Sequence, residues 1–312
     1  MRFRKENAGR GRSGNTKNID KMDRRTALKL MGASVATTVM ANVAPLSHAA
    51  ILKDRAKDKK RLVFYFTATG NSLFVAKQLS DNPLSIPQEL KKDKLEYSAD
   101  EIGFVFPDYT ASAPMIVRDF LGRAKFNAKY MFSVITYGNA SVNVSEWWHK
   151  YAKENGVIFD YVKPLLMVDN YLPVFDMNEQ MKIDKHTDEN LAVIIEDIAS
   201  RKSFIEPSDM GHFNEDMLKR MQDSRLSMTS EQLIKLDADR CVECMTCAKV
   251  CPHGNFSLTD KGLAFSGKCE FCLACIQNCP QKALHLERER NREARFRNPD
   301  VSLNEIIRAN RK

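Results

Sequence analysis

The eight cysteines of this 312-residue chain repeat one spacing, and their thiols are its clearest candidates for chemistry. Each copy reads C-x2-C-x2-C-x3-C followed by proline. The copies supply Cys241, Cys244, Cys247 and Cys251, and then Cys269, Cys272, Cys275 and Cys279. Three thiolates spaced by two residues can reach three corners of an iron-sulfur cubane from one tight turn, so the spacing favours 4Fe-4S clusters. The fourth ligand of each cluster must come from elsewhere.

Zinc and disulfides are the alternative uses of these cysteines. Four-cysteine zinc sites use two pairs separated by a spacer, and they require neither a third spaced cysteine nor a Cys-Pro step in both halves. Disulfides are common in exported proteins, but a disulfide framework gives no reason to repeat one four-cysteine spacing. The repeat therefore favours iron-sulfur clusters over both alternatives.

The repeated motif resembles that of bacterial ferredoxins with two 4Fe-4S clusters. The resemblance implies a small α+β dicluster ferredoxin domain over residues 237–287, in which the fourth cysteine of each run binds the cluster of the other run. The implied ligand sets are Cys241, Cys244, Cys247 and Cys279 for one cluster, and Cys269, Cys272, Cys275 and Cys251 for the other. Such crossing would make the stability of the domain depend on metal.

A second candidate site follows the apolar run at 62–66, which is typical of a buried parallel strand. The next residues are Thr67, Ala68, Thr69, Gly70, Asn71 and Ser72, and a helical pattern follows them. Backbone N-H groups at a helix start favour an anion, and glycine allows close approach, so the loop is typical of phosphate binding. No lysine follows the glycine, which excludes a nucleoside-triphosphate loop. A plain turn capped by serine is the alternative.

Four further strands are predicted between this loop and residue 175. They lie near 84–86, 101–109, 129–139 and 164–173, with helical patterns at 72–79, 114–123 and 145–156. This alternation predicts a doubly wound parallel α/β sheet, in which ligands bind at the carboxyl ends of the strands. Tyr109, Thr136, Tyr137, Gly138 and Asn139 follow such ends.

The loop at 67–72 and the strands after it resemble flavodoxins, whose first loop holds the phosphate of FMN. The resemblance implies a flavodoxin-like fold over 61–175, with the loop on the phosphate and Tyr109, Tyr137, Gly138 and Asn139 beside the flavin ring. Loop tyrosines without a ligand are the alternative. The sequence DNY at 169–171 resembles a segment that follows the last strand in this family.

The first 49 residues have the three parts of a signal peptide: a basic region, an uncharged apolar run and small residues at a cleavage site. Arg24 and Arg25, directly before the apolar run, resemble the twin-arginine export motif, and an ordinary basic region is the alternative. The resemblance implies the twin-arginine export machinery as a partner and a periplasmic or cell-surface location. A membrane anchor over 30–52 is disfavoured because small and polar residues interrupt it, so no stable membrane span is expected.

The net charge of +8 excludes little until it is located along the chain. Ten basic and three acidic residues lie in 1–49, which leaves 38 basic and 37 acidic residues in the remainder. The part after the signal is therefore nearly neutral, and nucleic acid is not expected as a partner.

The order of these regions is similar to that of flavodoxin-ferredoxin fusion electron carriers of anaerobic bacteria. The predicted regions are a signal peptide at 1–49, a linker at 50–60, the flavodoxin-like domain at 61–175, a helical connector at 176–236, the ferredoxin domain at 237–287 and a tail at 288–312. The resemblance implies electron transfer between two 4Fe-4S clusters and FMN, with redox proteins as partners. The alternatives are a flavin-dependent reductase fed by the clusters and an iron-sulfur protein whose first domain only docks. Because no His/Asp or Cys/His group suited to proton transfer is evident, an electron carrier is favoured over an enzyme and no catalytic residue is predicted.

Overall fold

The computed structural model describes residues 59–311. The predicted signal peptide, its arginine pair and residues 50–58 of the predicted linker lie outside these described residues. Within 59–311, no helix is long and apolar enough to cross a membrane.

The described chain starts with an α/β domain built on a parallel sheet. Its strands and those beside it are β1 (Arg61–Tyr65), β2 (Leu84–Ser85), β3 (Glu96–Ser98), β4 (Glu101–Pro107), β5 (Lys125–Asn127), β6 (Tyr130–Tyr137), β7 (Tyr161–Leu166) and β8 (Phe204–Ile205). Six of them form one sheet in the order β2-β1-β4-β6-β7-β8, and β3 pairs separately with β5. All the pairings are parallel. The predicted parallel α/β sheet is thus confirmed.

Helices cover both faces of this sheet. They are α1 (Asn71–Leu79), α2 (Ile86–Glu89), α3 (Met115–Arg123), α4 (Val144–Glu154), α5 (Met177–Gln180) and α6 (Thr187–Ala199). The buried positions follow the helical period, as with Val144, Trp148 and Ala152 in α4. The longer helices α1, α3, α4 and α6 each bury one apolar stripe in the cores on either side of the sheet.

One predicted strand has different bounds in the structure, and three observed strands were not predicted. Strand β7 was expected at 164–173 but begins at Tyr161 and ends at Leu166, so DNY lies in the following loop. Pro164 lies inside this strand, where a proline cannot donate a hydrogen bond to a neighbouring strand. On the β8 side, β7 is paired only at Tyr161 and Val162. Pro164 is therefore tolerated, because it lies beyond this pairing on an edge that needs no hydrogen-bond donor. The short strands β3, β5 and β8 were not predicted.

The region 176–236 is more than a connector. Helix α6 packs on β7 through Leu191, Ile194 and Ile198, and β8 completes the sheet, so the α/β domain extends beyond 175 to at least Ile205. Only then does the chain leave the sheet, through α7 (Glu215–Leu226) and α8 (Ser230–Leu233).

The cysteine-rich region is a small α+β unit. Its elements are β9 (Ile234–Leu236), a 3₁₀ turn (Ala238–Arg240), α9 (Thr246–Val250), β10 (Phe256–Thr259), β11 (Gly262–Phe265), α10 (Ala274–Gln277) and β12 (Leu284–Leu286). Strands β9 and β12 pair antiparallel, as do β10 and β11. The unit therefore starts at Ile234, slightly before the predicted boundary at 237.

The tail returns to the α/β domain and ends in α11 (Leu303–Asn310). Ser302 and Glu305 form a capping box at its start, which satisfies N-H groups of the first turn. Val301, Ile306 and Ala309 are buried in the same hydrophobic core as residues of β1 and α1. The segment predicted as a separate tail is thus part of the domain core.

Candidate functional site

Four cysteines line a cavity at the outer end of the α+β unit. They are Cys241, Cys244, Cys247 and Cys279, and we call them the outer cysteine site. Three come from the first motif and the fourth from the second. Glu243 and Met245 adopt left-handed backbone conformations, with φ of 53° and 58°, which curl the first motif around the cavity. The thiol of Cys244 is exposed to solvent.

The other four cysteines line a second cavity of the same unit. They are Cys251, Cys269, Cys272 and Cys275, and we call them the inner cysteine site. The backbone repeats the first motif, because Phe271 and Leu273 are left-handed at the matching positions, with φ of 51° and 59°. Cys251 is the member that comes from the first motif. The structure therefore brings the cysteines together in two crossed sets.

The described structure pairs none of these thiols with another cysteine. All eight are free. Within residues 59–311, no three His, Cys, Asp or Glu side chains converge on the position of a single metal ion. A four-iron cluster holds its thiolates at separate corners and so accepts wider spacing.

Burial acts on more thiols of the inner site than of the outer site, where it raises the pKa of Cys247 to about 12. It raises the pKa of Cys272 and of Cys275 well above the usual thiol value, and neighbouring thiols of the inner cysteine site add to the rise. Partial burial also acts on Cys244, but the Thr246 hydroxyl at 3.3 Å and nearby N-H groups outweigh it and lower the pKa of that thiol. Because a cluster takes thiolates, loading the inner site releases more firmly held protons.

A large cleft opens at the carboxyl ends of β1, β4, β6 and β7. Its volume is about 710 Å³, within the range of small-molecule sites. The predicted residues that line it are Thr67, Ala68, Thr69, Asn71, Ser72, Tyr109, Thr136, Tyr137, Gly138 and Asn139. Gly70 is the exception, since it lies behind the loop, where its N-H donates to Thr67 Oγ1 at 3.0 Å.

The loop at 67–72 is held in a defined shape. Ser72 Oγ lies 2.9 Å from Thr136 Oγ1, and Asn170 Nδ2 donates to Thr69 Oγ1 at 2.7 Å. Gly70 has φ of 106°, a left-handed conformation that side chains disfavour. No side chain caps the start of α1, so its first N-H groups remain available to an anion at the positive end of the helix dipole.

The two tyrosines predicted beside a ring occupy different surroundings. The Arg225 guanidinium lies 4.2 Å from the ring centroid of Tyr109 and covers one face, and burial raises the pKa of that phenol well above its usual value. Tyr137 is half-buried and keeps a more open position. Gly138 packs so closely on the backbone of Asp169 that any side chain there would collide with it.

Two features of the cleft were missed in the sequence. Helix α7 forms a wall with Met217, Met221 and Arg225, and Met228 follows it. The i, i+4 methionine spacing is the only sequence signal for this face. Asp108 also lines the cleft, and burial raises the pKa of its carboxyl from 3.8 to about 8 despite opposing hydrogen bonds and Arg225.

The cleft and the inner cysteine site share a wall. Phe271, Cys272 and Leu273 line both spaces. Cys272 retains some solvent contact because it borders the cleft. By contrast, no cysteine of the outer site lines the cleft.

Glu270 fixes this junction from inside the second cysteine motif. Its carboxylate is almost wholly buried and accepts the N-H groups of Met115 at 2.7 Å and Ile116 at 3.3 Å, at the start of α3. His253 Nε2 lies 2.9 Å away, and Arg225 forms an ion pair at 3.5 Å. A charged side chain between two cysteines thus anchors the α+β unit to the sheet domain.

Comparison with known proteins gives matches for the cysteine-rich region. Residues 233–280 match the 4Fe-4S dicluster domain family. A curated relative is the pyruvate synthase subunit PorD of Methanothermobacter marburgensis, which is 38% identical over 56 residues. The alignment covers 18% of this chain and 65% of that subunit, so the chain spans just under two thirds of its relative.

A solved structure also aligns with part of the chain. It is a chain described as a flavoprotein from Bacteroides uniformis, with 19% identity and a TM-score of 0.27 over 34% of this chain and 90% of that one. The family match and the eight cysteines identify residues 233–280 as a dicluster 4Fe-4S region of the electron-transfer type.

Proposed function

We propose that this protein passes electrons between two 4Fe-4S clusters and an FMN bound in the cleft. The observation that carries the proposal is the wall shared by the inner cysteine site and the cleft, where Cys272 lines both. A cluster at the inner site would then lie directly beside a flavin. A cluster transfers one electron, whereas FMN accepts one or two, so the pair would convert between the two regimes.

Each cluster would be bound by one of the two cysteine sites, and each site would take three cysteines from one motif and one from the other. The outer site would use Cys241, Cys244, Cys247 and Cys279, and the inner site Cys251, Cys269, Cys272 and Cys275. Because each cluster would join both motifs, folding of the unit and metal binding would be coupled.

FMN binding is supported by topology and by the loop. The first five strands of the sheet follow the order 2-1-3-4-5 of flavodoxin-like folds when β2-β1-β4-β6-β7 are counted in sequence. The loop at 67–72 would hold the phosphate, with Thr136 supporting it through Ser72. Tyr137, Gly138 and Asn139 would contact the ring, and Tyr109 would reach it by its uncovered face.

Electrons would enter or leave through the outer cysteine site. Cys244 is exposed, and the neighbouring Val242 is 61% exposed, which is unusual for a valine. An exposed apolar residue beside a cluster suits transient contact with a small redox protein. The inner site would serve as the relay between this surface and the flavin.

Export by the twin-arginine route remains part of the proposal. Clusters need a folded domain, and eight unprotected thiols would oxidise in an oxidising compartment. Export of the folded, loaded protein avoids this. Replacing both Arg24 and Arg25 with lysine should leave the protein inside the cell, and export of the variant at the wild-type rate would contradict the route.

A flavin-dependent reductase is the second candidate, and Asp108 is the observation that favours it. Burial raises the pKa of its carboxyl to about 8, so at neutral pH the carboxyl would hold a proton inside the cleft. The methionine wall of α7 would accommodate an apolar substrate. Turnover of a small acceptor without any protein partner, lost in Asp108→Asn, would favour this function over a carrier.

Metal and flavin analysis of anaerobically purified protein tests the proposal. We expect about eight irons and one FMN per chain. Eight irons with no FMN, even after incubation with added FMN, would overturn the flavin part and leave an iron-sulfur protein with a docking domain.

A further inference from the structure

Three consecutive backbone carbonyls of the loop at 67–72 are bonded from behind by the last third of the chain. The pairs are Asn310 Nδ2 to Thr67 O at 2.8 Å, Asn278 Nδ2 to Ala68 O at 3.3 Å, and Asn298 N to Thr69 O at 2.8 Å. The donors belong to α11, to the residue after α10 and to the segment that precedes α11. The loop is therefore shaped by residues more than 200 positions away.

These asparagines are buried, which is unusual for the residue type. Asn310 has no exposed surface, and Asn278 and Asn298 are less than 7% exposed. Asn298 also donates from Nδ2 to Asn71 Oδ1 at 3.1 Å. Although Oδ1 of Asn278 and of Asn310 has no partner, the Nδ2 groups are paired with the loop, and a buried donor without a partner is costly. These contacts therefore favour one loop conformation over others.

We call the contacts of Asn278, Asn298 and Asn310 with the loop the asparagine clamp. Because the peptide bond is planar, this clamp also orients N-H groups of the loop toward the cleft. In a planar trans peptide, the C=O and the following N-H point in opposite directions. When the carbonyls of Thr67 and Ala68 point back at the asparagines, the N-H groups of Ala68 and Thr69 point forward, and both residues line the cleft. The clamp thus aims donors at the place where a phosphate would bind.

The C-terminal segment (residues 297–311) is itself fixed to the sheet domain. Ser85 Oγ donates to Ala309 O at 2.5 Å, and Lys77 pairs with Glu305 at 2.9 Å. The fit against the loop is tight, because a Cβ on Gly70 would lie 2.8 Å from the Cβ of Asn298. Movement of the segment would therefore move the loop.

We infer that the C-terminal segment is a built part of the phosphate site, and that Asn310 and Asn298 are positioning residues that preorganise the loop for FMN. This inference rests on the proposed function. Preorganisation matters because a loop that must be ordered on binding spends part of the binding free energy on that ordering. Asn278 adjoins Cys279, so the same clamp connects the outer cysteine site to the flavin loop.

The test compares Asn310→Ala with Asn304→Ala in the full-length, cluster-loaded protein. Both residues lie on α11, but Asn304 is exposed. FMN affinity, measured by quenching of flavin fluorescence, should fall roughly tenfold in Asn310→Ala, equivalent to about 1.4 kcal/mol, and stay unchanged in Asn304→Ala. Asn298→Ala removes the side-chain bond to Asn71 but keeps the backbone bond to Thr69 O, so FMN affinity should fall in the same direction by a smaller factor. It replaces Asn310→Ala if that variant fails to fold.

Amide hydrogen exchange of residues 67–72 gives a readout that needs no flavin. In the flavin-free protein, exchange at these amides should be faster in Asn310→Ala than in Asn304→Ala, while iron content stays equal. Equal FMN affinity and equal exchange in the two variants would overturn the inference. If the wild type binds no FMN, the proposed function fails, and the exchange comparison still decides whether the clamp exists.

Discussion

The two cysteine sites share one sequence motif and one backbone geometry, yet they occupy opposite surroundings. The outer cysteine site has an exposed thiol at Cys244 beside exposed Val242. The inner cysteine site is enclosed by residues of the α+β unit and borders the cleft through Cys272. Because both sites offer four cysteines, we infer that the role of each site in electron transfer depends on its position rather than on its ligands. Under the proposed function, the outer site would face partner proteins, whereas the inner site would face a flavin bound in the cleft.

Serine substitutions in the two sites should give the largest contrast. Cys272→Ser and Cys244→Ser should each reduce iron from about eight to about four per chain, measured by metal analysis and EPR. With a reduced ferredoxin as donor, flavin reduction should nearly stop in Cys272→Ser, since the cluster beside the cleft is gone. Reduction in Cys272→Ser as fast as in the wild type would show that the inner site is not the relay.

The crossed grouping offers the next contrast. Cys279→Ser should remove the cluster of the first motif, although Cys279 belongs to the second, and Cys251→Ser should remove the cluster of the second motif. EPR spectra of the remaining cluster, compared with those of Cys244→Ser and Cys272→Ser, distinguish the two. If the EPR spectrum of Cys279→Ser matched that of Cys272→Ser, the crossed ligand sets would be refuted.

Glu270 should matter more than a surface carboxylate of the same unit. Glu270→Gln leaves Arg225 buried without its charge partner and weakens the cap of α3, so it should reduce stability by about 3 to 5 kcal/mol. Glu293→Gln, which breaks the exposed pair with Arg240, is the matched control and should change little. Thermal unfolding of the loaded proteins measures both. Equal loss in the two variants would mean that the junction is not held by Glu270.

Asp108 should add a smaller, pH-dependent contribution. Its folded-state pKa of about 8 lies above the ordinary value of 3.8, so the folded protein holds the proton more firmly. The contribution of this proton to the free energy of unfolding is fully present below pH 3.8 and is lost as the pH rises to about 8. Arg225 opposes this shift and Asp169 adds to it, but burial dominates.

Denaturation at pH 6 and pH 8 measures that contribution. Relative to Asp108→Asn, the wild type should lose stability by about 1 kcal/mol per pH unit. Asp119→Asn, on the exposed side of α3, serves as the control. A parallel pH dependence in the wild type and Asp108→Asn would show that Asp108 is ionised throughout this range.

The sequence predicted the features that depend on local spacing. The cysteine repeat predicted a dicluster region, and alternating strands and helices predicted the parallel sheet; both predictions are confirmed. The loop residues predicted for the flavin site line one cleft, except Gly70, because strand ends of a parallel sheet meet at one edge. FMN itself and the ligand sets remain predictions.

Features that depend on distant parts of the chain could not be predicted. Glu270 resembles an ordinary surface charge in sequence, and only the folded chain places it at the start of α3. Asn310 looks like the last residue of an exposed helix, but its amide reaches Thr67. Strand β8 has two residues, too few for an alternating pattern to register.

Electron-spin relaxation of FMN reduced by one electron tests the central claim most directly, because a paramagnetic cluster nearby accelerates it. We expect fast relaxation in the reduced wild type and in Cys244→Ser, and slow relaxation in Cys272→Ser. Fast relaxation that persists in Cys272→Ser but disappears in Cys244→Ser would contradict the account, since it would place the outer cluster, rather than the inner one, beside the flavin.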